Sequence, residues 1–266
     1  MTNIKEIKSA KNRLKGFVRE TPILNSPFLD EIAGRKVFIK AECLQHTGSF
    51  KFRGGWSAIS AMKYDECNNG VLAISSGNHA QGVAYAAKAF GIKAVIIMPK
   101  DAPTLKIDNT RKMGAEVILY DRLHEDREAL GLKVSKERGL TQIKPYDEPL
   151  VIAGQGTCGL EIAIQSKMLN ISEADVIVCC GGGGLTSGIA LALESEAPKL
   201  KVRTAEPEKF NDVALSLENG KITRNNSLTG SICDAILTPE PGKLTFPIMN
   251  RLCGSGLTVS DDECLN

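Results

Sequence analysis

The sequence predicts an α/β fold in which parallel strands alternate with helices. Two observations predict it. Short β-rich runs alternate with helical patterns along the 266 residues, and runs such as 94–98 are apolar throughout. Alternation of strands and helices is typical of parallel sheets covered by helices on both faces. A strand without polar alternation fits a sheet that is buried on both sides.

The predicted strands lie at 36–41, 71–75, 93–99, 116–120, 174–180 and 200–206. The predicted helices lie between them, at 52–64, 80–90, 103–113, 125–138, 159–168 and 185–196. The segment 70–147 holds three of the strands and three of the helices, enough for a small α/β lobe. We therefore expect a small α/β domain at 70–147, inserted into a larger domain made of 1–69 and 148–266.

Composition limits the class of protein. The chain has 33 Lys and Arg against 31 Asp and Glu, without a basic block, so nucleic-acid binding has no electrostatic basis. No apolar stretch approaches the length of a membrane span. Eight cysteines without a secretory signal are typical of reduced thiols. We expect a cytoplasmic protein whose partner is a small molecule rather than a nucleic acid or a membrane.

Lys51 is the first residue with a candidate chemical role. It lies between Phe50 and Phe52 at the start of a predicted helix, and Arg53 follows. Apolar neighbours or a second positive charge lower the pKa of an amine and make it a nucleophile. A solvated surface lysine is the alternative, and these residues alone favour it because most lysines are exposed.

A polar turn, Ser-Ser-Gly-Asn-His at 75–79, follows the strand 71–75 and opens a helix. Its backbone N–H groups and hydroxyls form an anion site suited to a carboxylate. An ordinary helix N-cap is the alternative, and Asn78 suits both interpretations. Ser76 and Asn78 are stronger candidates than His79, because a histidine in such a turn is more often structural.

Four consecutive glycines, residues 181–184, follow the apolar strand 174–180 and precede a helix. Glycines let the backbone wrap around an anion, and the helix N-terminus adds its dipole. The run matches neither the full G-x-G-x-x-G of nicotinamide sites nor a Walker A loop, since Ile189 follows Gly188. It suits a terminal phosphate ester better than a dinucleotide or a nucleoside triphosphate.

Three acidic residues lie at and just after the end of the predicted strand 200–206. Glu206 ends that strand, Glu208 follows, and Asp212 comes six residues after Glu206. Such a loop can bind Mg²⁺ or Ca²⁺ with the help of a backbone carbonyl and waters. A solvated acidic loop at a helix start explains the residues equally well.

The motifs around Lys51, the polar turn and the glycine run occur in the order found in the fold-type II pyridoxal-phosphate enzymes. Two further segments extend the match, Ala-Gly-Gln-Gly-Thr at 153–157 and Ala-Glu-Pro at 205–207. Together they resemble in particular the threonine/serine dehydratases and serine racemase. The order and spacing hold over residues 5–262. The resemblance implies a two-lobed α/β architecture with parallel-rich sheets flanked by helices. It also implies pyridoxal 5′-phosphate as cofactor and a homodimer.

The resemblance gives each cofactor motif a role. Lys51 would hold the cofactor as a Schiff base, Phe50 would pack against its ring, and Asn78 would meet the ring hydroxyl. The phosphate would lie on the backbone of the glycine loop, made of Gly181, Gly182, Gly183, Gly184 and Leu185.

The substrate and metal motifs also match. Ser75 and Ser76, with Asn78 and His79 of the same turn, would bind the substrate carboxylate. In racemases of this family the residue at Ser76 is also the acid/base on the opposite face. Arg127 would help to close the substrate site. The divalent-cation site of the racemase-like branch would consist of Glu206, the carbonyl of Phe210, and Asp212.

The segments 230–235 and 241–246 are more like bacterial threonine dehydratases than animal serine racemase. We therefore expect a lyase, a threonine/serine dehydratase (ammonia-lyase) of amino-acid metabolism that converts L-threonine or L-serine to a 2-oxo acid and ammonia. Because of Ser76, an amino-acid racemase is an alternative function. A hydroxyaspartate dehydratase is another alternative. A catalytically impaired binding remnant is the alternative from a different class.

The resemblance also predicts more chain at the C-terminus. Relatives of the usual domain size would continue for roughly 50–60 residues beyond the helix that begins near Ser260. That part normally carries a Ser-Gly-Gly-type segment whose serine bonds the pyridine nitrogen. We expect the C-terminal part of the large lobe to be missing, with an apolar face and a sheet edge exposed.

Overall fold

The computed structural model describes residues 2–227 and 229–266. Its strands are β1 (Ile23–Asn25), β2 (Phe38–Lys40), β3 (Val71–Ile74), β4 (Ala94–Pro99), β5 (Glu116–Tyr120), β6 (Thr141–Gln142), β7 (Ala174–Cys179), β8 (Leu200–Pro207) and β9 (Leu257–Val259). Its helices are α1 (Ile4–Leu14), α2 (Pro27–Ala33), α3 (Lys51–Ala61), α4 (Tyr64–Cys67), α5 (Asn78–Ala89), α6 (Thr104–Lys112), α7 (Arg127–Arg138), α8 (Pro149–Met168), α9 (Gly184–Glu196), α10 (Asp212–Asn219), α11 (Thr245–Leu252) and α12 (Asp261–Leu265).

Two parallel sheets organise the chain. One has four strands in the order β5-β4-β3-β6, and the other has three in the order β7-β8-β9. A separate pair, β1 and β2, is antiparallel. The predicted α/β fold with parallel sheets and flanking helices is therefore confirmed.

The four-stranded sheet is buried on both faces, as its apolar strands predict. Successive side chains of a strand point to opposite faces, so neighbouring residues enter different cores. One core, shared with α1, α3 and α5, contains Val71, Ala73, Ile96 and Met98. The other core, shared with α7, contains Leu72, Val95 and Ile97.

Helix α8 begins at Pro149, well before the predicted segment 159–168. Glycines at 154, 156 and 159 weaken a helix, which is why the sequence does not predict its first half. They are needed for close packing. A Cβ at Gly154 would lie 2.4 Å from the Arg53 carbonyl oxygen, and one at Gly188 would lie 2.5 Å from the Gly156 nitrogen. Helix α8 can therefore lie directly against α3 and α9.

The residue pattern does not predict the N-terminal helix α1. The Asn3 side chain caps it by accepting hydrogen bonds from the N–H groups of Lys5 and Glu6. Its apolar side chains recur at helical spacing, and Ile7 and Leu14 are fully buried. The apolar stripe is short and lies among lysines, so its periodicity is weak in the sequence.

Strand β7 differs from the fully buried strand that its apolar run predicts. Val178 is buried against α9, but Ile177 on the opposite face is 59% exposed. Because side chains alternate along the strand, Asp175 and Cys179 share that open face.

The chain returns from the four-stranded sheet through residues 143–148, the crossover segment, which joins β6 to α8. All strands of that sheet lie within 70–147, but the predicted domain boundaries stay a prediction. In the described parts of the chain, no helix is both long and apolar enough to cross a membrane.

Candidate functional site

Lys51 is the first residue of α3 and is partly buried. Its Nζ donates a 2.9 Å hydrogen bond to the Pro145 carbonyl oxygen of the crossover segment. The Phe50 ring centroid lies 5.2 Å from Nζ. Burial lowers the pKa of the Lys51 amine to about 8, and the Cys179 thiol acts in the opposite direction. The amine is therefore partly neutral near neutral pH.

Arg53 does not lower this pKa as a second positive charge, which corrects the expectation from the sequence. Its fully buried guanidinium binds both carboxylate oxygens of Glu42, at 2.7 Å each, and both of Glu161, at 2.6 and 2.8 Å. The two carboxylates compensate its charge. The cluster instead anchors the start of α3 to α8, which positions Lys51.

The polar turn at 75–79 lies beside Lys51 because α5 packs closely on α3. A Cβ at Gly82 would lie 2.9 Å from the carbonyl carbon and oxygen of Lys51. The Ser75 hydroxyl accepts a 3.2 Å hydrogen bond from the Gly77 N–H, and the Asn78 side chain is exposed. The turn therefore presents its polar groups at the end of β3, near the Lys51 amine.

His79 points inwards from this turn and is 2% exposed. Its Nε2 is 2.9 Å from the Ile143 carbonyl oxygen. Burial and the nearby Lys51 charge lower the pKa of His79 to about 3, so the ring is neutral. Because a carbonyl oxygen only accepts hydrogen bonds, the neutral ring carries its proton on Nε2 and donates from it. It ties the turn to the crossover segment two residues before Pro145, and its part in binding the substrate carboxylate stays a prediction.

The glycine loop lies against the same crossover segment. Gly183 has φ +88° and α9 begins at Gly184. A Cβ at Gly182 would come within 2.3–2.4 Å of the Tyr146 ring, so the loop needs glycine there. Helix α9 contributes N–H groups that lack intrahelical acceptors, and the buried Thr186 hydroxyl has no partner among the described residues.

Other contacts hold the loop and bring it towards Lys51. The Thr245 hydroxyl donates a 2.6 Å hydrogen bond to the Gly182 carbonyl oxygen. A Cβ at Gly181 would lie 3.3 Å from Ile236. The thiol of Cys179, two residues before the loop, is close enough to Lys51 for their charges to interact. The amine, the polar turn and the glycine loop thus meet around the crossover segment.

The structure also brings together the predicted metal ligands. Glu206 accepts hydrogen bonds from the N–H groups of Val213, at 3.0 Å, and Ala214, at 2.7 Å. One oxygen of Asp212 accepts a 2.6 Å hydrogen bond from Asn225, and the other is buried without a partner among the described residues.

The two carboxyl groups interact. Burial and the nearby Asp212 raise the pKa of Glu206 to about 8, and burial raises that of Asp212 to about 7. The carbonyl of Phe210 belongs to the turn between them. Within residues 2–227 and 229–266, no three His, Cys, Asp or Glu side chains are grouped to hold a metal ion. The donor set of two carboxylates and one carbonyl therefore stays a prediction, and the unpartnered Asp212 oxygen fits it.

Arg127 lies at the first position of α7 and its side chain is 54% exposed. Its nearest acidic partner is Glu128, at 3.4 Å. Its charge also acts on the Tyr146 phenol, whose pKa burial raises overall. Arg127 therefore lies on the side of the small sheet that faces the crossover segment.

Comparison with known proteins decides the family. The model of the family described as "Pyridoxal-phosphate dependent enzyme" matches residues 14–266. The L-threo-3-hydroxyaspartate ammonia-lyase of Pseudomonas sp. is 42% identical over 99% of this chain and 81% of its own length. The serine racemase of Schizosaccharomyces pombe is 42% identical over 98% and 79%. The crystal structure of the T.th. threonine deaminase has TM-score 0.91 and 40% identity, over 98% of this chain and 83% of that one.

This chain belongs to the pyridoxal-phosphate-dependent enzymes. The predicted family, enzyme class and cofactor are thereby confirmed. The residues present fit the cofactor: an amine in surroundings that lower its pKa, and a loop that must be glycine because a Cβ at Gly182, Gly183 or Gly184 would collide with Tyr146 or Met249. The roles assigned to individual residues stay predictions.

The sequence does not predict the crossover residues of this candidate site. Pro145 contributes a backbone carbonyl, which every residue possesses, so no sequence signal could reveal it. Tyr146 is an aromatic residue in a polar segment, without any periodic pattern around it. Its contact with Gly182 depends on how the chain returns between the sheets.

Proposed function

We propose that this enzyme is an ammonia-lyase for small β-hydroxy amino acids, which converts L-threonine or L-serine to a 2-oxo acid and ammonia. One observation carries the proposal. The Lys51 amine, with its pKa lowered to about 8, lies between a polar turn suited to a carboxylate and a glycine loop suited to a phosphate. An amino acid joined to pyridoxal phosphate carries both of these anions.

The glycine loop would hold the cofactor phosphate through the free N–H groups of residues 181–185, with the α9 dipole in support. Phe50 would pack against the cofactor ring and Asn78 would meet its hydroxyl. When bound, the cofactor supplies an electron sink that eases removal of the α-proton of an amino acid.

Lys51 would both hold the cofactor and carry the α-proton. An amine with a pKa near 8 is basic enough to accept a proton and is still partly neutral at physiological pH. The Pro145 carbonyl orients it, since the ammonium form donates to that oxygen at 2.9 Å. Ser75, Ser76 and the N–H groups of the turn would bind the substrate carboxylate, and Arg127 would help to close the site.

Glu206, the Phe210 carbonyl and Asp212 would bind Mg²⁺ or Ca²⁺. The unpartnered oxygen of Asp212 supports this assignment, because a buried carboxylate without a cation or a donor is costly. The ion would stabilise the β8–α10 corner rather than contact substrate.

The relatives are named for different substrates. One is an L-threo-3-hydroxyaspartate ammonia-lyase, one is a serine racemase and one is a threonine deaminase. Racemase activity is the second candidate, because Ser76 places a hydroxyl in the turn beside the lysine. A racemase needs an acid/base on the face opposite Lys51, and Ser76 could serve as that group.

One incubation distinguishes these activities. The purified protein, loaded with pyridoxal phosphate, receives L-threonine, L-serine or L-threo-3-hydroxyaspartate. The 2-oxo acid, ammonia and D-serine are then measured. Release of 2-oxo acid from L-threonine or L-serine supports the proposal. Turnover of hydroxyaspartate alone, or formation of D-serine without oxo acid, refutes it.

Matched variants assign the residues. Lys51→Ala is expected to abolish turnover and borohydride-dependent attachment of the cofactor, and Lys201→Ala is expected to change neither. Ser76→Ala is expected to abolish any D-serine formation and keep dehydration. Cofactor attached to Lys51 without any turnover would favour the binding remnant instead.

The same proposal includes two domains, a homodimer and a cytoplasmic location. One domain consists of residues 1–69 and 148–266, and the other consists of residues 70–147.

An exposed apolar patch on α2 supports the homodimer. Phe28 and Ile32 of this helix are 77% and 84% exposed, and an apolar patch of this kind supports a subunit contact. Sedimentation of the purified protein measures the oligomeric state, and Ile32→Asp is expected to shift it towards monomer.

A further inference from the structure

Two thiols outside the pyridoxal-phosphate site lie in contact range of each other. The Sγ atoms of Cys233 and Cys264 are 3.9 Å apart, although the residues are 31 positions apart in the sequence. Cys264 is exposed and Cys233 is partly exposed, so small oxidants can reach both. Cys158 and Cys180, by contrast, are buried.

Other bonds hold the pair in place. The Ser231 hydroxyl donates a 2.6 Å hydrogen bond to the Asp261 carboxylate, which joins the start of α12 to the segment before Cys233. The N–H of Cys233 donates to the same hydroxyl at 3.2 Å. The thiols therefore face each other across a 3.9 Å S–H···S hydrogen bond, without a covalent bond between them. Formation of a disulfide requires the sulfurs to approach to about 2.05 Å.

The segment 231–238, here called the strap, touches the glycine loop. The backbone of Ile236 and the methyl group of Thr238 would lie 3.3 Å from a Cβ at Gly181. On another side, Asp234 forms a 3.3 Å ion pair with Lys106 of α6. The strap thus lies between the glycine loop, α6 and α12, and both Ser231 and Cys233 contact α12.

We propose that Cys233 and Cys264 are a redox modification site that forms a disulfide when a peroxide oxidises the protein. The peroxide O–O bond accepts two electrons, and one thiol becomes a sulfenic acid with release of one water. The second thiol then attacks that sulfur, forms the S–S bond and releases a second water. A dithiol reverses the reaction by thiol–disulfide exchange.

The disulfide would bind the strap covalently to α12 and so restrict the backbone that covers Gly181. This consequence rests on the proposed use of the glycine loop as the phosphate site. A strap held against the loop slows the exchange of the anion bound there, so the oxidised holoenzyme should lose its cofactor more slowly than the reduced one.

The bond is tested by peptide mapping. Holoenzyme and apoprotein, freed of reductant, are treated with hydrogen peroxide, blocked with N-ethylmaleimide and digested. We expect a linked peptide pair containing Cys233 and Cys264 that dithiothreitol separates. Cys264→Ser and Cys233→Ser should lack it, and the matched surface variant Cys67→Ser should keep it. A link from Cys179 to Cys233, isolated sulfinic acids, or no linkage would overturn the proposal.

Cofactor loss on dilution tests the consequence separately. The oxidised wild type should release pyridoxal phosphate several-fold more slowly than the reduced protein, and oxidised Cys264→Ser should not differ from its reduced form. Equal release rates would refute the effect of the strap. Peptide mapping requires no turnover, so failure of the proposed ammonia-lyase activity would leave the disulfide result intact, and the reverse also holds.

Discussion

The lowered pKa of Lys51 predicts an unusually reactive amine in the cofactor-free protein. With a pKa of about 8, roughly a quarter of the Lys51 amine is neutral at pH 7.5, against about one part in a thousand for an amine with a pKa near 10.5. The neutral, reactive fraction of Lys51 is therefore about 200-fold larger than that of a solvated lysine at that pH, so Lys51 should acylate faster when access is equal. The difference corresponds to about 3 kcal/mol.

The assay is competitive acetylation with trace reagent across pH 6.5 to 11, read by mass spectrometry of individual lysine peptides. Lys201 is the matched internal control. Its Nζ also donates to a proline carbonyl, that of Pro198 at 2.9 Å, but the residue is exposed. Comparison of the two lysines separates the effect of burial from the effect of the hydrogen bond.

If burial lowers the pKa of Lys51, exposing the amine to water should raise that pKa again. Phe50→Ala removes the ring beside the amine and admits water, so the labelling midpoint of Lys51 should rise towards 10.5. A wild-type midpoint near 10.5, or the same pH profile for Lys51 and Lys201, would refute the reasoning.

The pH dependence of the free energy of unfolding provides an independent test of the lowered Lys51 pKa. Between pH 8 and 10.5 the unfolded chain binds a proton at Lys51 that the folded chain has lost. The contribution of Lys51 to the free energy of unfolding therefore rises with pH in that window. In Lys51→Met this rise should be absent.

The remaining predictions concern the glycine loop, the proposed metal ligands and the buried ion cluster. Gly182→Ala brings a methyl group within 2.3–2.4 Å of the Tyr146 ring, so it should weaken cofactor binding by about 1–3 kcal/mol in a fluorescence titration. Gly254→Ala is the control, because its methyl group would make only ordinary contacts at 3.4 Å and beyond and should leave cofactor binding unchanged. Ca²⁺ or Mg²⁺ at about 100 times its Kd should stabilise the protein by about 2.7 kcal/mol and raise Tm by roughly 5–10 °C, and Asp212→Asn should abolish the rise. An unchanged wild-type Tm would contradict the metal site. Arg53→Met should lower the free energy of unfolding in urea by about 3–5 kcal/mol, because it leaves buried carboxylates unpaired. Arg251→Ala, which breaks an exposed pair, should cost less than about 1 kcal/mol, and equal losses would contradict the structural role of Arg53.

The sequence predicts those parts of the site that depend on residue type and order. Lys51, the turn at 75–79 and the glycine run 181–184 each follow a recognisable strand or open a helix, because parallel strands deliver such residues to one edge of a sheet. The central strands are also predictable, since apolar runs such as 94–98 have one stable environment. These local patterns were sufficient for the fold class and the family.

Long-range packing explains what the sequence does not predict. Helix α8 begins at Pro149 although its glycines oppose helix formation, because contact with α3 and α9 outweighs local propensity. The compensation of Arg53 depends on Glu42 and Glu161, which lie 11 and 108 residues away. The open face of β7 likewise reflects what packs on the strand, and Asp175 is the one charged residue of β7 that marks it.

The bond from Lys51 to Pro145 connects chemistry to domain geometry. Pro145 belongs to the segment by which the chain passes from one parallel sheet to the other, and its carbonyl is the acceptor of the reactive amine. A rotation of one sheet relative to the other would move that oxygen and alter the burial that lowers the pKa of the Lys51 amine. Substitutions far from the substrate, wherever they alter the angle between the sheets, would then appear in the pH profile of the enzyme.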